Sequence, residues 1–254
     1  MPAPWQTAWI TGASTGIGRA VAIALAKRGV RVAASARSVD KLADLTREQR
    51  TIAPLPLDVA DPAAMAQAAR TVASTLGPID LVILNAGLWE PMTARSFSAE
   101  KAARSMAVNY LGVVNGIEAV LPGMLERGRG HIAMVASIAG YRGMPLTAAY
   151  GPTKAAIINL AETLHNELEP RGVKVSVINP GYVETPMTSV NKFPMPFLMT
   201  AEKAAERIVA GLERGRFEIA FPRPMIAAAK LGRLLPYRLF FWYSRNVMSP
   251  PRRK

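Results

Sequence analysis

A three-layer α/β fold, with helices on both faces of a doubly wound parallel sheet, is what this sequence predicts. Three observations carry the prediction. Short apolar strand candidates alternate with helix candidates from residue 7 to residue 221, an order that requires crossover connections and a parallel sheet. The first strand–helix junction is the glycine-rich run Thr11-Gly-Ala-Ser-Thr-Gly-Ile-Gly18. The strand candidate Leu81-Val-Ile-Leu84 is apolar throughout, as expected of a strand covered on both faces. Residues 1–221 are therefore expected to form one domain, and residues 222–254 a basic, apolar helical extension.

The first strand, Thr7–Ile10, enters the glycine turn and then a helix from Ala20 to Lys27. Strand, glycine turn and helix form the context of a dinucleotide-binding fingerprint, although the spacing is G-x-x-x-G-x-G rather than G-x-G-x-x-G. Gly12 permits the tight turn, Gly16 brings backbone close to a pyrophosphate, and Gly18 lets the helix pack on the sheet. The helix N-terminus offers unpaired N–H groups to phosphates. Val30–Ser35 reads as the second strand, and Ile52–Leu57 as a third strand weakened by Pro54 and Pro56. A helix over Pro62–Thr75 follows, with Asp61 as N-cap and proline at the first helical position. After Leu81–Leu84 come a long helix over Glu100–Arg127 and a fifth strand over His131–Ala136. A helix carrying Tyr150 and Lys154 runs to Glu169, before a strand over Val173–Ile178, a helix over Ala201–Glu213 and a strand over Phe217–Phe221. Gly12, Arg37, Asp58, Asn85, Ser137 and Pro180 all follow strand C-termini, so they gather on the sheet edge where such folds bind ligands.

Tyr150 and Lys154 stand four residues apart, on one face of a helix, with Ser137 thirteen residues upstream at a strand end. A phenol titrates near pH ~10 in water, and a neighbouring cation favours the phenolate. The pair is suited to give and take a proton in carbonyl or alcohol chemistry. The set Thr11-Gly12-x-x-x-Gly16-x-Gly18, Asn85-Ala86-Gly87, Asn109, Ser137 and Tyr150-x-x-x-Lys154, in this order, resembles the short-chain dehydrogenase/reductase family over residues 5–221. The resemblance implies a Rossmann-type fold, a nicotinamide cofactor, and hydride transfer between its C4 and a carbonyl or alcohol carbon. It implies Tyr150 as the general acid of reduction. Lys154 would then lower the phenol and bond the nicotinamide ribose, and Ser137 would orient the carbonyl oxygen. It implies that Asn109 kinks its helix and holds a water of the proton relay. It places Ser14, Thr15 and Ile17 of the turn, and Asn85-Ala86-Gly87, on the cofactor. Pro180, Gly181, Val183 and Thr185 would lie against the nicotinamide, and Asp58 with Val59 against the adenine. Asp58 also reads as a cap of the next turn, and Asn109 as bonding its own backbone.

The second strand ends Ser35-Ala36-Arg37-Ser38, with no carboxylate where an acid would bind a ribose 2′-hydroxyl. The resemblance places the NAD-selecting Asp at Ala36. Arg37 can pair with a 2′-phosphate through its planar fork. NADP(H) is thus expected over NAD(H), the alternative being a solvated Arg37.

Composition removes other chemistries. Within 254 residues there is no cysteine and only two histidines, His131 and His165. This excludes disulfides and thiolate catalysis and leaves little for a metal site or a Ser-His-Asp triad; no metal is expected, and both histidines read as structural or solvent-facing. No signal segment is evident and no apolar run reaches the ~20 residues of a membrane span, so a cytoplasmic location is expected. Residues 186–200 contain three Met, two Phe, one Leu and a single charge, Lys192. They suit either a mobile lid over a hydrophobic carbonyl or alcohol substrate or ordinary loop packing. Trp89, Tyr141, Met144 and Tyr182 are candidates for the same pocket.

Of the +13 net charge, eight basic residues and no acidic ones lie in residues 222–254, leaving 23 basic against 18 acidic before them. Met225–Leu235 and Tyr237–Val247 read as two short helices broken at Pro236, rich in Leu, Phe, Trp and Tyr and followed by Pro250-Pro-Arg-Arg-Lys254. Contact with an anionic membrane surface and docking on a partner subunit both fit this pattern. A homodimer or homotetramer is expected from the resemblance. A cofactor-binding sensor on the same fold would ordinarily have lost Tyr150 or Lys154, and no nucleic-acid motif accompanies the basic tail.

Overall fold

The computed structural model describes residues 3–191 and 193–248. Seven strands, β1 (Thr7–Thr11), β2 (Arg31–Ala36), β3 (Ile52–Pro56), β4 (Leu81–Leu84), β5 (Gly130–Val135), β6 (Val173–Pro180) and β7 (Glu218–Phe221), form one sheet. Their order is β3-β2-β1-β4-β5-β6-β7 and every pairing is parallel. The sheet reverses direction of growth between β1 and β4, the switch point at which doubly wound folds open a ligand crevice.

Alternation along each strand sends side chains to opposite layers. In β1, Ala8 and Ile10 enter one core and Trp9 the other, where its indole N–H donates to Ser35 Oγ at 2.9 Å. The first core is closed by α1 (Gly16–Ala26), α2 (Val39–Glu48) and α7 (Ala201–Glu213), through Leu25, Leu42, Leu45, Ile208 and Leu212. The second is closed by α3 (Pro62–Thr75), α5 (Gly112–Glu126) and α6 (Gly151–Leu168), through Met65, Ile117, Met124 and Ile157. Asp61 caps α3 as the sequence indicates, accepting from Ala64 N–H at 3.0 Å.

Several boundaries differ from the sequence reading. Helix α2 has no counterpart there, although Ser38 caps it, accepting from Lys41 N–H, and Leu42 and Leu45 are its buried stripe. The long helix expected over Glu100–Arg127 is interrupted. α4 (Ala99–Met106) passes through a π-turn at Ala107–Leu111 into α5. No uninterrupted apolar run of membrane-spanning length occurs, but by length and mean hydropathy this combined stretch, Ala99–Glu126, would suffice to cross a bilayer. Its Val113, Ile117, Val120 and Met124 are spent on the core. The extension forms α8 (Arg223–Leu234) and α9 (Tyr237–Tyr243), separated at Pro236, with a π-turn at Ser244–Met248 in place of further α-helix. Lys192 and the terminal Pro250-Pro-Arg-Arg-Lys254 lie outside the described residues.

Candidate active site

The strand ends on either side of the switch point are fastened by polar side chains. Thr11 Oγ1 accepts from the N–H groups of Asn85 and Ala86 at 3.1 and 3.2 Å, and Asn85 Nδ2 donates to the carbonyls of Thr11 and Gly12, both at 3.1 Å. The glycine turn closes against this pair. Gly12 has φ +66°, a left-handed conformation suited to glycine, and a Cβ there would stand 2.7 Å from Ala86 Cα. At Gly18 a Cβ would come within 2.4 Å of the Gly12 carbonyl oxygen and of Asn85 Nδ2. Gly18 therefore serves the fit of turn to Asn85 as much as the packing of helix on sheet.

A cleft of about 430 Å³ opens at this edge. Gly12, Ser14, Thr15, Gly16 and Ile17 of the turn line it, with Arg37, Asp58, Val59, Asn85, Ala86 and Gly87. Ser137, Tyr150, Lys154, Pro180, Gly181, Val183 and Thr185 line it too, and Thr185 stands against the glycine turn, its Cγ2 2.7 Å from where a Gly16 Cβ would lie. Of the residues the sequence singled out, Gly18 and Asn109 do not line it, nor do the pocket candidates Trp89, Tyr141, Met144 and Tyr182. Ser38, Lys41 and Leu88 do, although the sequence reading did not name them as site residues, and so do Met187 and Thr188 of the 186–200 segment offered there as a lid; the short run after β2, now seen to open α2, was the available signal for the first two. Asp58 fills its capping role, accepting from Ala60 N–H at 3.0 Å, while also facing the cleft.

Asn109 is fully buried inside the π-turn. Such turns insert one residue into a helix and are frequent at functional sites. Rather than its own backbone, its amide grips another segment. Oδ1 accepts from Leu88 N–H at 2.7 Å, and Nδ2 donates to the Leu88 carbonyl at 3.0 Å and to Thr153 Oγ1 at 3.2 Å. The strand-end loop after β4 is thereby held to the helix that carries Lys154.

Lys154 is buried, and its Nζ donates to the Val135 carbonyl at 2.8 Å and lies 5.4 Å from the centre of the Tyr150 ring. Ser137, at the end of β5, accepts from Ala139 N–H at 3.1 Å and is hydrogen-bonded to the Tyr150 phenol. The expected lowering of the phenol by a cationic neighbour is not found. Burial pushes Tyr150 up to about 12, against a smaller opposing effect of Ser137. Burial also pulls Lys154 down to about 7. Desolvation disfavours the charged form of both groups, so at neutral pH the phenol keeps its proton and the amine is near its midpoint.

Above this cluster, Trp89 packs edge-on against Tyr150, ring centres 5.2 Å apart, and its indole donates to Asn191 Oδ1 at 3.1 Å. The bond ties the loop after β4 to the segment 186–200, where Met187, Val190, Phe197 and Leu198 are exposed. Leu146, at φ 68° in the disfavoured left-handed region, is held by Met92 N–H donating to its carbonyl at 3.0 Å. Tyr141 does not reach the cleft. Its hydroxyl donates to Glu218 Oε1 at 2.5 Å, turned toward β7 by a carboxylate that also bonds Lys230 and Asn179 Nδ2. Of the histidines, His131 is buried against Ser176 Oγ at 2.8 Å, and burial lowers it to about 4.

Among the described residues no cluster of His, Cys, Asp or Glu is arranged to hold a metal ion. With this geometry in place, comparison with known proteins is decisive: the family described as short chain dehydrogenase matches residues 6–193. The chain belongs to the short-chain dehydrogenase/reductase family. An uncharacterized oxidoreductase of Myxococcus xanthus is 38% identical over 247 residues, covering 96% of this chain and 98% of that protein. The solved structure of a short-chain dehydrogenase/reductase from Burkholderia phymatum in complex with NAD superposes with TM-score 0.86 at 24% identity, covering 99% of both chains. That likeness is one of fold. The closed form of a serine dehydrogenase with NADP+ superposes with TM-score 0.79 at 27% identity, covering 85% of this chain and 94% of that one. The protein is therefore an oxidoreductase of this family, acting on the CH–OH/C=O pair.

Proposed function

We propose that the chain is an NADP(H)-dependent carbonyl reductase or alcohol dehydrogenase for an apolar substrate, with Tyr150, Ser137 and Lys154 as its reacting cluster and Asn109 as its brace. The observation that carries this reading is that the three side chains line the same cleft as the glycine turn. The chain's groups fit a dinucleotide. Thr15, the N-cap of helix α1, makes no side-chain capping bond, and no acid stands in the first turn, leaving N–H groups and a partial positive charge for phosphate. Arg37 is exposed and forms no ion pair among the described residues, and Lys41 lines the same wall. Ala36 offers no carboxylate to repel a 2′-phosphate. A nicotinamide dinucleotide held here supplies or takes the hydride.

The chain's own residues manage the proton. In reduction the Tyr150 phenol, protonated at neutral pH, donates to the substrate oxygen while Ser137 holds that oxygen with a second hydrogen bond. As the phenol becomes anionic, the Lys154 amine beside it is stabilised in its charged form. A group titrating near 7 changes charge at little cost. Asn109 fixes the Leu88 backbone against the Lys154 helix and so keeps the cleft wall in register. The exposed Met187, Phe197 and Leu198 of the 186–200 segment favour an apolar substrate body.

Tyr150→Phe tests the assignment. We expect kcat/KM for NADPH-dependent ketone reduction to fall by roughly 10³-fold or more, with NADPH affinity changed less than about twofold because the phenol is not a phosphate contact. Turnover surviving at a tenth of the wild-type rate would remove the phenol from the mechanism.

A further inference from the structure

The extension presents a surface that the family's chemistry does not use. Leu234, Tyr237 and Trp242 are 80%, 72% and 62% exposed, and Leu231, Leu239, Phe241 and Tyr243 are exposed beside them. In α9 only Phe240 is buried. The same stretch exposes Arg223, Lys230, Arg233, Arg238 and Arg245, and no acidic residue occurs from Pro222 onward. Carboxylates beside it include Glu218, which Lys230 and Tyr141 occupy, and Glu162, which shares a cavity with Leu231 and Leu234. None of the other four arginines forms an ion pair among the described residues. Nor does the extension hang loose. The Arg142 guanidinium donates to the carbonyls of Gly232, Arg233 and Leu235 and lies 4.0 Å from the centre of the Phe240 ring and 5.1 Å from that of Tyr237.

We propose that this face docks on an anionic lipid bilayer. Three features select that occupant. A helix exposed on nearly its whole circumference fits a medium that surrounds it better than a partner with a single contact face. Trp, Tyr, Phe and Leu interleaved with arginine is the composition of helices lying at the boundary between headgroups and acyl chains. Positive charge without acidic partners complements anionic headgroups, whereas a second copy across a two-fold axis would set the same cations against one another. At 1.5 Å per residue α9 spans only about 10 Å, against a hydrocarbon core of about 30 Å. It therefore lies in the interface and does not cross it. Arg252, Arg253 and Lys254 add charge of the same sign.

Flotation of the full chain with vesicles of phosphatidylcholine alone, or with about 30% phosphatidylglycerol, tests this. Partitioning is expected to be at least about tenfold stronger on the anionic vesicles and to fall by a similar factor in high salt. The Trp242 emission, isolated by comparison with Trp242→Phe, should shift to the blue on binding. Replacing Phe241 and Trp242 together by serine should weaken binding about tenfold while the melting temperature and NADPH affinity stay unchanged. A second variant, Arg238→Glu with Arg245→Glu, should abolish the preference for anionic vesicles. Equal binding to neutral vesicles, or none to anionic ones, overturns the proposal. So does a serine variant that dissociates an oligomer by light scattering while lipid binding persists, since that assigns the face to a second copy.

Discussion

At the cleft, Thr11, Asn85 and Asn109 spend their hydrogen bonds on the backbone of neighbouring segments, whereas in the extension Leu234, Tyr237 and Trp242 face solvent. The cleft keeps few groups free: the first-turn N–H groups of α1, Arg37 and Lys41. Those groups are cationic or donors, which suits a polyanionic ligand. The extension leaves most of its apolar side chains exposed and its arginines without ion pairs among the described residues, and Arg142 holds it to the body at a few points. A region whose internal bonds are complete can carry precise geometry. A region whose apolar face is open has its contacts completed from outside the chain.

Lys154 gives the largest effect with which to break this comparison, because it pits the cleft's chemistry against the stability of the fold. Its amine falls from 10.5 to about 7 through burial, which by linkage corresponds to a cost of roughly 5 kcal/mol for the buried charge. The unfolded lysine holds its proton up to the ordinary value, while the folded one releases it near 7. The cost is therefore complete below pH 7 and fades as the pH rises from there toward 10.5. Lys154→Met should lower kcat/KM by about 10³-fold yet stabilise the fold below pH 7. The gain is about 2–4 kcal/mol after the lost bond to Val135 is set against it. Thermal melts at pH 6 and pH 10 check the sign: the variant's advantage must shrink at the higher pH. A variant that melts lower at both would show that the amine's hydrogen bond outweighs its desolvation.

The cofactor wall gives the next effect and sharpens the meaning of the free cations. Ala36→Asp with Arg37→Ser places a carboxylate at the end of β2 and removes the fork beside it. A charge-assisted bond contributes about 1.5–3 kcal/mol, so the NADPH/NADH ratio of kcat/KM should shift toward NADH by roughly 10- to 100-fold or more. An unchanged ratio would mean that Arg37 is a solvated surface residue and that the free charge on this wall has no ligand.

These sites were readable from sequence for a topological reason. In a parallel sheet every strand's C-terminus faces one edge, so Gly12, Arg37, Asp58, Asn85, Ser137 and Pro180 are brought together by strand order alone. What was not readable depends on partners distant in the chain. Tyr141 looks like a pocket residue until Glu218, on β7, is seen to hold its hydroxyl. The grip of Asn109 on Leu88 leaves no local trace beyond the amide itself. The opposite shifts of Tyr150 and Lys154 follow from burial, which spacing does not report. Helix α2 was missed for a different reason. Its Ser38 cap and its Leu42 and Leu45 stripe are local signals, but ten residues with mixed charge give a short pattern beside a site already crowded with other readings.

Arg142 gives the smallest effect and addresses the extension directly. Its guanidinium sits at the C-terminus of α8, where carbonyls lack helical partners and a cation is favoured, and it also stacks on Phe240 and Tyr237. Arg142→Ala should cost about 1–2 kcal/mol from the lost carbonyl bonds and cation–π contacts. The loss should be local. Amide hydrogen exchange is expected to accelerate about tenfold over 223–243 while β1, β4 and β5 keep their protection. Because a hydrogen-bonding neutral side chain reaches fewer of the carbonyls, Arg142→Gln should fall between wild type and alanine. If protection fell equally in the sheet, the extension would be part of the same cooperative unit as the cleft. The difference between the two regions would then be one of exposure and not of independence.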